Sequence, residues 1–326
     1  MTSHTPIDPE MRPERSLLSV PATSERFFAK AIAGDADTIM LDLEDAVAPE
    51  EKTQARAAAI KALNGLDWGA HTICVRINGL DTKWAYRDLI DVAEACPRVD
   101  TVMVPKVERP DDVTCVATML QGIEQAIGRA RPIGIEILVE TALGMTHVEA
   151  IAQSSPRLES ISFGPGDYAA SVGNRSKVVG GPDPEYGVLT YPDDAGRRTQ
   201  HWGDAWHYAL ARLATACRAH GIRALDGPYT DFKDPDGLAA ICRRAVSLGY
   251  TGKWCIHPEQ IGPVNRIFGP TEEEVAHARR LVQAMDSAHG AGAGAATLDG
   301  KMIDMAHVRQ ARRIIAQAEQ IAARHG

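Results

Sequence analysis

The chain has 326 residues, 44% of them hydrophobic and 24% charged, and a formal net charge of −8. That length exceeds a minimal single core and suits one large α/β domain with an appendage. The acidic balance excludes general nucleic-acid binding, which needs a basic surface, and no apolar run reaches the roughly 18 residues of a membrane span.

The N-terminus, MTSHTPIDPEMRPER, is polar and proline-containing and lacks the apolar stretch of a secretory signal; residues 1–14 read as a loose arm. Cys74, Cys96, Cys115, Cys217, Cys242 and Cys255 are scattered, with no CxxC. They are expected to be buried free thiols in a reducing cytoplasm.

Strand-like runs follow at 15–21, 37–45, 71–79, 100–108, 133–140, 158–167, 221–229 and 251–259. Several are continuous Val/Ile/Leu/Met runs, as strands covered on both faces should be. Helical composition fills the gaps at 50–63, 84–96, 111–127 and 204–221. Eight alternating units predict parallel strands with right-handed crossovers and an α/β (β/α)8 TIM barrel over 15–270. A doubly wound sheet is the rival, weakened because no GxGxxG follows the first strand.

The Gly/Pro/Asp-rich segment 171–201 is too long for a routine connection and reads as a lid, a binding loop or a disordered piece. A helix is predicted over 271–290, with Thr271 as its N-cap. A Gly/Ala-rich hinge containing Asp299 (291–302) and a final helix from about 304 complete a C-terminal helical appendage, 271–326.

Functional groups of a parallel barrel gather at the C-terminal ends of its strands. Those ends carry Asp42, Glu44, Asp45, Arg76, Asn78, Lys106, Glu108, Glu140, Asp167, Asp226 and His257. Glu140 and Asp167 each follow an apolar run and precede small residues and a turn. They suit a divalent metal, which takes one or two carboxylates and completes its shell with water and substrate oxygens; capping a following helix is the alternative. Glu44 and Asp45 could orient metal-bound waters and substrate, or belong to an ordinary salt-bridge network. Arg76, inside VRING, needs an anionic partner: a substrate carboxylate held in bidentate fashion, or Glu44 or Asp45. His257 reads as structural more readily than catalytic, and Asp299, as Asp-Gly, as a turn residue. The basic stretch 12–30, with Arg15, Arg26 and Lys30, could receive an anionic substrate.

RSLLSVPA, LDLEDAV, VRING, VPKVE, ETALG, SFGPGDYAAS, DGPYTDF and GKWCIHPEQI follow one another as in the citrate lyase β-subunit/HpcH aldolase superfamily, which the chain resembles over about residues 12–326. The stretch GLDTKWAYRDLIDVAEACPR, the loop SVGNRSKVVGG with its continuation, and TLDGKMID look most like the L-malyl-CoA/β-methylmalyl-CoA lyase branch. The resemblance implies a TIM barrel with a C-terminal appendage, and Mg²⁺ or Mn²⁺ on Glu140 and Asp167. It implies Arg76 at the substrate carboxylate and enolate oxygen, and Asp299 as acid/base in a neighbouring subunit's site. It further implies a homotrimer or homohexamer, and coenzyme A held near Arg15, Lys30 and Arg26.

The expected activity is reversible Claisen-type cleavage of (S)-malyl-CoA to acetyl-CoA and glyoxylate, and of β-methylmalyl-CoA to propionyl-CoA and glyoxylate. A (3S)-malyl-CoA thioesterase and a citramalyl-CoA lyase are the alternatives within the same architecture, and a non-catalytic binding protein on the same barrel is a third.

Overall fold

The computed structural model describes residues 12, 14–175, 179–183, 185–290 and 293–325. Eight parallel strands close into a barrel: β1 (Ser16–Pro21), β2 (Thr38–Asp42), β3 (Thr72–Arg76), β4 (Thr101–Val104), β5 (Gly134–Val139), β6 (Leu158–Phe163), β9 (Arg223–Asp226) and β10 (Gly252–Cys255). Consecutive barrel strands are neighbours, and β1 pairs with β10 to close the ring. The connections carry helices, among them α1 (Glu25–Ile32), α2 (Lys52–Gly65), α3 (Ala85–Ala95), α4 (Pro110–Ile127), α8 (His207–Ala219), α9 (Pro235–Leu248) and α10 (Ile261–Phe268). Among the described residues no helix is long and apolar enough to cross a membrane.

Several strands are shorter at their C-terminal ends than the apolar runs that announced them. The chain reaches Pro21, Pro105, Pro165, Pro228 and Pro258 at or soon after five of these ends, and proline cannot donate to a ladder. The largest difference is at 158–167. The strand stops at Phe163, and Pro165–Ser171 forms α7, with Pro165 in its first turn. Pro is pre-shaped for that position, where the missing N–H costs nothing.

Side chains two residues apart on a strand share a face, and this sorts the barrel interior by height. Leu17, Met40, Cys74, Met103, Leu138, Leu225 and Trp254 form one buried apolar layer. Below it the floor is polar: Thr101 donates to Glu136 (2.7 Å), and Glu14, Glu159 and Arg223 interlock, with Arg223 Nε 2.9 Å from Glu14 Oε2. Two residues beyond Met40, Cys74 and Leu138 stand Asp42, Arg76 and Glu140, on the roof. The larger apolar core lies outside the ring, between strands and helices.

The expected loose arm largely falls outside the described residues, but Arg12 and Glu14 do not behave as one. Glu14 is buried in the floor and accepts from Thr38 Oγ1 (3.2 Å), and Arg12 lies 3.6 Å from Glu159.

Beyond α10 come α11 (Glu272–Gly290), a hairpin of β11 (Ala296–Leu298) and β12 (Lys301–Ile303), and α12 (Met305–His325). Thr271 and Glu274 cap α11 reciprocally: Glu274 N–H donates to Thr271 Oγ1 (3.2 Å) and Thr271 N–H to Glu274 Oε2 (2.7 Å). Ala278, Leu281, Met285, Ile303, Val308 and Ala311 form this unit's own small core. The stretch expected to be a flexible hinge is therefore a hairpin over its described part, because Asp299-Gly300, at φ +50° and +75°, makes the tight turn that such a dipeptide favours. Helix α12 lies against the barrel floor, where Arg324 donates to Ala36 O (2.7 Å) and pairs with Asp37 (3.2 Å), and Gln317 donates to Phe268 O (2.9 Å).

The long segment after α7 carries an exposed hairpin, β7 (Gly187–Leu189) with β8 (Gln200–Trp202). Trp206, buried, ties its return to the chain by donating to Gly181 O (2.7 Å). Residues 176–178 and 184, within the same stretch, lie outside the described residues.

Candidate active site

The C-terminal mouth of the barrel holds a cavity of ≈ 400 Å³ whose lining includes Ser19, Asp42, Asp45, Arg76, Glu140, Gly164, Asp167 and Trp254. Five of the residues singled out from sequence, Asp42, Asp45, Arg76, Glu140 and Asp167, line this one space.

Glu140 follows β5 directly and is 2% exposed. Its Oε1 accepts the backbone N–H of Lys106 (3.0 Å), a residue held at φ +53°. Burial pushes the carboxyl up to about 8, the Asp167 carboxylate adds to the rise, and Arg76 opposes it. Gly164, after β6, leaves the room Glu140 occupies: a Cβ there would stand 2.5 Å from Glu140 Oε2. Asp167 sits in the first turn of α7 and is solvent-exposed. A buried carboxylate facing a second carboxylate calls for a cation. Among the described residues no Cys or His lines the cavity. Two carboxylates with open space beside them fit a hard, oxygen-seeking ion such as Mg²⁺ or Mn²⁺, with its remaining positions left to water and substrate oxygens.

Arg76 ends β3 and is 5% exposed. Its partner was not among those proposed from sequence. Asp42, opposite it in register on β2, takes the guanidinium fork, with Oδ1 2.8 Å from Nε and Oδ2 2.5 Å from Nη2. Glu44 Oε2 and Asp45 Oδ2 lie 3.0 and 3.3 Å from Nη1, and the Trp254 ring packs against the cation at 5.4 Å. Most of the five N–H donors of an arginine are thus engaged, and the bidentate fork expected for a substrate carboxylate is filled by Asp42. What remains for a ligand is the Nη edge facing the cavity. Asp42 is named from the LDLED run as a strand-end acid, but the pairing with Arg76 is expected there only of the last two acids of that run.

Glu44 and Asp45 form a shared network. Lys106 Nζ lies 2.6 Å from Glu44 Oε1 and 3.7 Å from Asp45 Oδ1. Lys52 Nζ clamps the loop by donating to the Leu43 (3.0 Å) and Glu44 (2.7 Å) carbonyls. Burial pushes Glu44 up against the pull of Arg76, whereas Asp45 goes down because its contacts with Glu44, Arg76 and Lys106 outweigh its burial. Burial acts to lower the Lys106 ammonium, but its hydrogen bond to Glu44 and the charges of Glu44, Asp45 and Asp167 together outweigh that and raise it. These residues make the mouth a charged lattice around Arg76, with Asp45 alone of the acidic pair reaching the cavity wall.

Besides Glu44, the expected site residues Arg15, Arg26 and Lys30 are not brought to the cavity. Arg15 precedes β1 and so lies at the opposite end of the barrel, where Asp37 accepts from its backbone N–H (2.7 Å), Nε (2.8 Å) and Nη2 (2.8 Å). It belongs to the floor, and the run RSLL carries it there because strand direction fixes which end a flanking residue occupies. Arg26 and Lys30 sit exposed on α1, with Arg26 over the Phe27 ring at 4.8 Å. Asp299 is also absent from the cavity wall of its own chain; its partners are Arg280 and His277 of α11. Asp226, another strand-end acid, is buried against Lys253 Nζ (2.5 Å), and His257 stacks on Phe232 while accepting the N–H of Glu259 (3.2 Å).

Known proteins share this arrangement of chain. A family model described as HpcH/HpaI aldolase/citrate lyase matches residues 15–258. An L-malyl-CoA/beta-methylmalyl-CoA lyase of Cereibacter sphaeroides is 46% identical over 97% of this chain and 98% of its own length. A (3S)-malyl-CoA thioesterase of the same species is 35% identical, covering 96% and 98%. Among solved structures, protein CitE of Mycobacterium tuberculosis, crystallised with magnesium, acetoacetate and coenzyme A, is similar at TM-score 0.71 and 29% identity, over 95% of this chain and 99% of that one. With the match running from just before the first barrel strand to just past the last, this chain belongs to the HpcH/HpaI aldolase/citrate lyase family.

Proposed function

We propose that this protein is a cytoplasmic, metal-dependent carbon–carbon lyase. It cleaves (S)-malyl-CoA to acetyl-CoA and glyoxylate, and β-methylmalyl-CoA to propionyl-CoA and glyoxylate, reversibly. The observation that carries the reading is the convergence of Glu140, Asp167 and Arg76 on one cavity at the barrel mouth. The 46% identity with a lyase of that name, spanning nearly both chains, supports the substrate class.

Glu140 and Asp167 would hold Mg²⁺ or Mn²⁺, which supplies Lewis-acid stabilisation of the oxygens of a 2-hydroxy or 2-oxo acid. Arg76, held from behind by Asp42, offers its Nη edge to the same oxygens as charge develops on them. Asp45 and Glu44 keep that guanidinium oriented and charged. Asp299 delivers a proton to the departing enolate carbon in cleavage and removes it in condensation. Because α12 docks on the barrel floor and Asp299 does not line its own cavity, a second copy of the chain would bring its Asp299 to this mouth, in a homotrimer or homohexamer. Arg26 and Lys30, exposed on the helix after β1, would meet the coenzyme A phosphates.

The test is incubation of the full-length protein with (S)-malyl-CoA and Mg²⁺, with and without EDTA, trapping the oxo acid while free thiol is assayed. EDTA-sensitive glyoxylate without thiol release is expected. Malate with free thiol moves the activity to thioester hydrolysis, the reaction named for the 35% identical relative. Pyruvate release from citramalyl-CoA in preference to glyoxylate from malyl-CoA moves it to a citramalyl-CoA lyase.

A further inference from the structure

Asp299 projects from a two-residue turn whose backbone is tightly specified, with φ +50° at Asp299 and +75° at Gly300. The turn fixes the Cα of the aspartate but not its side-chain torsions. A second contact does that. Arg280, on α11, meets the carboxylate with both terminal nitrogens: Nη1 lies 3.4 Å from Oδ1 and Nη2 3.1 Å from Oδ2. Arg280 Nη2 also donates to Nδ1 of His277 (3.3 Å), three residues earlier on the same helix. Arginine has only donors, so His277 accepts here and buttresses the guanidinium. Its Nδ1 lies 3.9 Å from Asp299 Oδ2.

This pair has no evident structural purpose. Arg280 and Asp299 are each more than half exposed, at 57% and 55%, and exposed pairs contribute little to stability. The appendage holds its hairpin by burying Ile303 against Ala278, Leu281 and Met285 instead. What the fork does accomplish is geometric. It pins both carboxylate oxygens from the α11 side while the carboxylate stays more than half exposed.

We propose that Arg280 is a positioning residue for the reaction: it orients Asp299 as a preformed acid/base on the appendage, with His277 holding Arg280. This rests on the reading of Asp299 as the group that transfers the proton at the enolate carbon. In condensation the Asp299 carboxylate takes a proton from the carbon next to the thioester, and the electron pair of that C–H bond becomes the enolate that attacks the oxo acid. In cleavage the same proton returns to that carbon. Arg280 exchanges no proton in either direction. It touches no substrate, so its loss should slow proton transfer and leave substrate binding alone.

The experiment uses the full-length protein with Mg²⁺ and compares Arg280→Ala, Arg280→Lys and Asp299→Asn. Steady-state cleavage of malyl-CoA gives kcat and KM. Deuterium incorporation into the acetyl-CoA methyl group in D2O reports proton transfer separately. Arg280→Ala is expected to lower both kcat and exchange about 10- to 100-fold, with KM changed by less than about 3-fold. Arg280→Lys, or added guanidinium with Arg280→Ala, should recover part of the loss, and an unchanged thermal unfolding midpoint would show the fold intact. Arg280→Ala with parental kcat and exchange overturns the proposal, as does a rise in KM with kcat unchanged, which would make Arg280 a substrate-binding group. Near-parental turnover in Asp299→Asn overturns the acid/base reading itself. That outcome is told apart because it appears in the Asp299 variant whatever the Arg280 variants do.

Discussion

Asp42 and Arg76 stand opposite one another in register on adjacent strands, and the Asp42 carboxylate closes the guanidinium fork at 2.8 and 2.5 Å. The arginine at the barrel mouth is therefore a built part, aimed by a buried aspartate and a Trp254 ring, before any substrate arrives. Substrate meets only the edge that Asp42 leaves free.

Asp42→Asn keeps the shape of this support and removes its charge. It is expected to lower kcat/KM by roughly 100-fold, equivalent to about 2.7 kcal/mol of transition-state stabilisation. Arg76 would still be paired with Glu44 and Asp45, so the buried cation keeps counter-charge and the protein should remain folded. Steady-state kinetics beside a thermal melt checks both. Wild-type kcat/KM in Asp42→Asn would remove Asp42 from the machinery.

Glu140 predicts a coupling between pH and metal. Burial raises its folded pKa to about 8 from an ordinary 4.5. Between those values the folded state without metal holds a proton that the unfolded state has lost, so this group makes stability fall as pH rises through that window. Metal binding needs the carboxylate and must expel that proton. The rise in unfolding midpoint caused by Mg²⁺ should therefore grow from about pH 5 toward about pH 8 and then level off. Calorimetry with Mg²⁺ or EDTA across that range reads it. Glu140→Gln should abolish the Mg²⁺ increment, and a pH-independent increment would place the metal elsewhere.

Gly164→Ala tests the same ligand by crowding alone. The new Cβ would lie 2.5 Å from Glu140 Oε2 and closer still to Glu140 Cβ, which no side-chain torsion moves, so the Glu140 backbone and carboxylate must both shift. Metal affinity measured by titration should fall about 10- to 100-fold, the scale seen when a ligand loses its support. Unaltered affinity would mean that Glu140 relaxes freely, or that it is not a ligand.

Two inactive variants should complement one another if the site is shared between copies. Glu140→Gln disables the barrel mouth and Asp299→Asn disables the appendage. Mixed after reversible dissociation, they would form sites pairing an intact mouth with an intact Asp299, and part of the activity should return. Sites confined to one chain would give no recovery at any mixing ratio.

The alternation of apolar runs and helical segments was enough to place eight parallel strands and a barrel, because strands covered on both faces must be apolar throughout. The same runs carried Glu140 and Arg76 to the mouth, since direction and a two-residue period decide where a side chain near a strand end points. The residues misplaced from sequence are those whose position depends on partners distant in the chain. Arg15 lay in a basic stretch that promised an anion site, but the strand begins immediately after it, so it falls at the floor and pairs with Asp37. Asp42 looked like one acid among three until the register of β2 on β3 set it across from Arg76. Asp167 read as a strand-end residue, and Pro165 turned it into the first turn of a helix. Asp299 read as part of a loose hinge, and only the hairpin and α11 gave it Arg280.

Sequence by itself determined the element order, the fold class and the kind of chemistry at the mouth, because hydrophobic period and residue type are local properties. Tertiary structure alone decided which acid holds which base, that the appendage lies against the floor, and that Asp299 does not line the cavity of its own chain. Those depend on closing a ring of strands and docking a helix hundreds of residues from its partner, and no local pattern encodes a distance between such groups.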